Sequence, residues 1–209
     1  MAELYRVYAA PVYTFLRRWG HSTQSARDLT QDFFGYLWEF NLVAKADPGR
    51  ARFRSFLLGV LKKFVAHEQS RQKTLKRGAG CEWVSIDITA AEGFYSNEPA
   101  TDETPEKIFD RRWALAVLEQ AMERLRAEYL TGGFGELFQS IEPYLTGGQD
   151  TGFAELGAAL GKSEGAARVL VCRLRKRFAQ LIRSVIADTV SGVDDVEAEL
   201  AHLQAALRG

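Results

Sequence analysis

The chain has 209 residues, 46% of them hydrophobic and 26% charged, with equal numbers of acidic and basic side chains. That composition supports ordinary buried cores and excludes a disordered tail. No apolar run approaches the roughly 18 residues of a membrane span, and the opening "MAELYRVYAAPVY" lacks a charged segment followed by an apolar one, so a cytoplasmic protein without membrane contact is expected. The two cysteines, Cys81 and Cys172, and the three histidines, His21, His67 and His202, are scattered without motif spacing. No metal site, cofactor or nucleophile constellation is read from them, and an enzyme is not expected.

In the first block of the chain, Leu4, Tyr8, Phe15 and Trp19 are spaced for one helix face, with Gly20 as the stop. After "HSTQ" a second helix runs from about Ser25 to Phe40, with Leu29, Phe33, Leu37 and Phe40 inward. The loop "AKADPGRAR" then leads into "FRSFLLGVLKKFVAHEQSRQK". There Phe53, Phe56, Leu57, Val60, Leu61, Phe64 and Val65 recur at helical intervals, an amphipathic helix.

The neutral total hides segmentation. Residues 1–80 carry 14 Lys and Arg against 6 Asp and Glu, a net +8, and residues 81–110 carry 1 against 8, a net −7. Residues 111–187 return to +3 and residues 188–209 fall to −4. Two basic blocks separated by an acidic one point to two surfaces for a polyanion joined by a segment that repels it. The acidic stretch "GAGCEWVSIDITAAEGFYSNEPATDETPE" is rich in Gly, Ser, Thr and Pro and has no sustained helical period. It reads as an extended linker, and the fold class as all-α with two small helical domains.

In the second basic block, "FAELGAALGKSEGAARVLVCRLRKRF" places Leu156 and Leu160 on a short helix, Gly157 at a crossing point and Gly161 in a turn. Ser163 is the expected N-cap of the next helix. This is a helix-turn-helix pattern. Ala167, Leu170, Val171, Leu174, Phe178 and Leu181 form the inward stripe of the second helix. Gly165, Arg168, Val169, Cys172, Arg173 and Lys176 fall opposite, with Arg175 and Arg177 at the margins. A solvated basic face is the plainer reading of such a helix. Turn, cap, small crossing residue and charge agree on the more specific one.

Three motifs in order carry a family resemblance. "ARDLTQDFFGYLWE" resembles the core-polymerase-binding helix of sigma-70 family factors, "FRSFLLGVLKKFVAHEQSRQK" their promoter-melting helix, and the stretch from Phe153 to Arg177 their terminal helix-turn-helix. The whole chain is similar to the small extracytoplasmic-function group. The resemblance implies a first domain over residues 1–78, a linker over 79–104, a helix-turn-helix domain over 105–190 and an acidic C-terminal helix over 191–209. It implies core RNA polymerase and promoter DNA as partners, with an anti-sigma factor or a Ser/Thr kinase as candidate controls.

By the same resemblance Asp28, Gln31 and Asp32 bind polymerase. Lys45, Arg50, Arg52, Arg54, Lys62, Lys63, His67 and Arg71 support melted DNA. Ser163, Glu164 and Gly165 approach the duplex backbone, and Arg168, Val169, Cys172, Arg173 and Lys176 meet the groove and its phosphates. Two departures from the family pattern stand out. Ser25, Ala26, Arg27 and Asp28 replace an acidic run, making Ser25 the hydroxyl aligned with a missing carboxylate among Ser22, Thr23, Ser25 and Thr30. In the recognition helix, Val169 and Leu170 stand where polar or basic residues are common. The alternative function is a stand-alone helix-turn-helix regulator, whose dimer surface would have to be the C-terminal "VDDVEAELAHLQAALRG".

Overall fold

The structure is a computed structural model that describes residues 2–46, 52–72, 103–145, 152–189 and 193–208. Among them every regular element is helical, in agreement with the sequence. The helices are α1 (Ala2–Arg18), α2 (Thr23–Glu39), α3 (Phe53–Gln72), α4 (Pro105–Thr131), α5 (Gly135–Ile141), α6 (Phe153–Ala159), α7 (Glu164–Ala187) and α8 (Val193–Arg208), with short 3-10 turns at Val43–Lys45 and Glu142–Tyr144. The acidic linker read over 79–104 lies almost wholly outside the described residues.

The chain divides into two compact units, Met1–Ala116 with Ile186–Gly209, and Val117–Val185. These limits differ from those drawn from the sequence. Residues 105–116 and the C-terminal helix group with the N-terminal helices rather than standing apart from them.

The first unit is built on aromatic packing. Leu4, Val7, Tyr8, Val12, Phe15 and Leu16 recur at helical spacing on α1 and are all buried. Phe109 of α4 stands against both Tyr8 and Phe15, at ring-centroid distances of 6.4 and 6.3 Å. Phe33 of α2 meets Phe64 of α3 edge-on at 5.5 Å, and Tyr8 meets Phe53 at 5.8 Å. Phe53 is therefore a core residue, while Phe56 and Val60 are only half-buried.

Helix ends repeat one device. After α1 the Gly20 N–H donates to the Arg17 carbonyl and the His21 N–H to the Leu16 carbonyl, with Gly20 at φ +102°. Asn41 after α2, Gly133 after α4 and Gly161 after α6 close their helices with the same pair of bonds. This explains two departures from the expected core. Phe40 lies at the terminus that Asn41 closes and is 48% exposed, resting on Tyr36, and Trp19 at the end of α1 is 42% exposed against Phe15.

In the second unit α4 contributes Val117, Ala121 and Leu125 to the core, α5 contributes Phe138 and Ile141, and α6 contributes Phe153 and Leu156. Against them α7 buries Ala167, Val171, Leu174, Leu181 and Val185, with Leu170 and Phe178 half-buried. The inward stripe is thus the one the sequence spacing gives.

Candidate nucleic-acid interface

The turn between α6 and α7 is set by three small residues. Gly157 lies so close to the following turn that a Cβ there would stand 2.8 Å from the Lys162 carbonyl oxygen. Gly161, at φ +63°, lets the chain reverse. Ser163 then caps α7, its Oγ accepting from the Ala166 N–H at 3.2 Å. Gly157→Ala is expected to destabilise the second unit by about 1–3 kcal/mol, because the contact is with backbone and cannot be relieved by a rotamer change. Thermal unfolding of the variant checks this, and a melting temperature equal to wild type would show that the turn yields.

On α7, Glu164, Gly165, Arg168, Val169, Cys172, Arg173 and Lys176 are all exposed, as is Ser163 before it. The structure therefore brings the sequence-assigned groove residues onto one open face. The six cations of this stretch are not equivalent. Arg175 donates from Nε to the Tyr144 carbonyl at 3.0 Å, and Arg177 grips both oxygens of Glu128. The hydrogen bond from Arg177 holds the Glu128 carboxyl below its ordinary pKa and raises that of the guanidinium. Arg168 donates from Nε and Nη2 to Glu164, at 3.2 and 2.8 Å, and lies over the Phe153 ring at 5.0 Å. Lys162, Arg173 and Lys176 are exposed with no ion-pair partner among the described residues.

A second face lies on α2. Ser22 caps this helix, its Oγ accepting from the Ser25 N–H at 3.2 Å. Ala26, Leu29, Thr30, Phe33, Phe34 and Leu37 turn inward. Asp28 and Asp32 are exposed and Gln31 is half-buried, with Asp28 accepting from Gln24 Nε2 at 2.9 Å. The sequence reading missed Trp38. It is 64% exposed, and at 100° per residue it falls beside Gln31. The available signal was its position, one residue beyond Leu37 and therefore rotated by about 100° away from the Leu29, Phe33 and Leu37 stripe toward Gln31.

The hydroxyls near this face differ in access. Thr30 is buried and donates to the Ala26 carbonyl at 2.7 Å, which removes it as a modification site. Ser25 is half-buried, its Oγ 3.4 Å from His21 Nδ1. Burial lowers the pKa of that imidazole.

The residues assigned to melted DNA stand in different environments. Lys45, Arg52, Lys63 and His67 are exposed. Lys62 pairs with Glu106 at 2.7 Å, and its hydrogen bond holds the Glu106 carboxyl below its ordinary pKa. Arg50 and the side chain of Arg71 lie outside the described residues.

Arg54 requires a correction, because it is not on the surface. Its side chain is 6% exposed, pairs through Nη1 with Asp110 and through Nε with Glu199 at 3.4 Å, and stands 5.4 Å from the Trp113 ring centre. His202 Nε2 completes the group 3.1 Å from the other Asp110 oxygen. Two carboxylates from α4 and α8 hold this guanidinium inside the first unit, so it is not available to a phosphate.

Among the described residues no three His, Cys, Asp or Glu side chains are grouped to hold a metal ion, and no helix is long and apolar enough to cross a membrane. No family model, curated protein or solved structure matches the chain.

Proposed function

We propose that the chain is a sigma factor that binds core RNA polymerase and directs it to promoters, leaving bond formation to the polymerase. The observation that carries this reading is the α6–α7 pair, a capped, glycine-turned helix-turn-helix whose outer face is open and cationic. The α2 face adds support, because a DNA-binding module alone has no use for a helix that exposes Asp28, Asp32 and Trp38 around a half-buried Gln31. The order of the three sequence motifs is the third support. The regulator reading is weakened by α8. Glu199 and Leu203 of that helix are buried within the first unit and are not offered to a second copy.

The test is to mix the full chain with core polymerase, look for a complex by gel filtration, and then assay for transcripts with defined starts. Arg173→Ala is expected to abolish specific transcripts while leaving the polymerase complex intact, since the two faces lie in different units. Sequence-specific DNA binding with no polymerase complex would favour the regulator.

A further inference from the structure

We propose that the exposed face of α7 selects a duplex element in which a thymine methyl meets Val169 and Cys172 and a neighbouring guanine meets Arg173. This deepens the sigma-factor reading and rests on it. From its N-terminal end, the face begins with Gly165, beyond whose Cα there is open space, so that no side chain holds a duplex away. Val169 follows, 49% exposed, with Cys172 one turn on, exposed and free. Residues three apart on a helix are surface neighbours, and these two make a small apolar step in the middle of an otherwise polar face. Arg168, a cation adjoining that step, is turned back onto Glu164 and Phe153.

The chemistry of the major groove then decides what fits. Thymine is the base that presents a methyl group there, whereas guanine and cytosine lack it and present polar groups that need hydrogen bonds. Set against Val169, a guanine or cytosine edge would lose its water without gaining a partner, and that loss discriminates against it. Arg173 adjoins Cys172 and has no partner among the described residues. Its planar fork matches guanine O6 and N7. Lys176, a flexible point charge one turn further, suits a phosphate.

The experiment selects duplexes from a randomised pool with the full chain bound to core polymerase, and then replaces thymine by deoxyuridine in the enriched duplex. That replacement removes the 5-methyl and leaves the pairing groups unchanged. The expected result is an enriched element containing thymine next to guanine. Deoxyuridine at that thymine should weaken wild-type binding by about three- to tenfold, the scale of one buried methyl. Val169→Ala, at an exposed position that does not support the core, should erase the thymine–deoxyuridine difference. Arg173→Ala should erase the preference at the guanine. An enriched element without thymine, or one bound equally well with deoxyuridine, overturns this inference and leaves the sigma-factor reading standing. Failure of the wild type with polymerase to enrich any element overturns the reading on which it rests.

Discussion

Arg54→Ala is expected to lower the stability of the chain by about 3–5 kcal/mol, the scale for removing one partner from a buried ion pair. The guanidinium faces two carboxylates, and Glu199 is 1% exposed on its side chain, so that acid cannot simply be rehydrated when the cation is lost. The nearby carboxylate also acts on Tyr8, whose phenol pKa is pushed far above its ordinary range, first by burial and then by Glu199. Denaturant unfolding should show a lower midpoint at an unchanged slope. A chain ending before Val193 removes Glu199, His202 and Leu203 together and should be destabilised in the same direction. Arg54→Lys keeps the charge but not the fork, and should fall between wild type and alanine. If Arg54→Ala unfolds like wild type but loses DNA affinity, Arg54 is a nucleic-acid contact after all and the buried cluster is not what holds it.

Arg54 also shows where sequence reasoning stops. Its partners lie 56 and 145 residues away, and no periodic pattern links positions so distant. The family resemblance counted it among the cations that support melted DNA, and long-range packing placed it in the core. The same limit applies to α8, whose acidic character reads as a solvated extension until Glu199 is seen buried beside a guanidinium. Local features fared differently. Gly20 and Gly161 as stops, Ser163 as a cap and Gly157 at a close approach all depend on a few adjacent residues, and the structure contains each of them. The outward face of α7 follows from helical rotation alone. Phe40 departs from the same arithmetic only because α2 ends one residue before it.

Trp38→Ala is expected to weaken binding to core polymerase by about thirtyfold, the effect of removing an interface anchor worth roughly 2 kcal/mol. The side chain is 64% exposed, so its removal leaves the first unit's core as it is, and a circular dichroism melt should match wild type. A tryptophan this exposed offers the large, rigid, amphipathic surface that interface anchors use. The acidic residues should behave differently from the tryptophan. Asp28 and Asp32 are exposed charges on the same helix, which steer association more than they hold the complex together. Asp28→Ala is therefore expected to slow association by a few-fold, with the deficit shrinking as salt rises, because exposed charges are screened within about 8 Å at physiological ionic strength. Trp38→Ala should instead speed dissociation and keep its deficit at high salt. Stopped-flow binding with labelled chain and core polymerase separates the two rates, and Arg173→Ala serves as the control that leaves both unchanged. Wild-type kinetics for both Trp38→Ala and Asp28→Ala would remove this face of α2 as the proposed polymerase-binding surface.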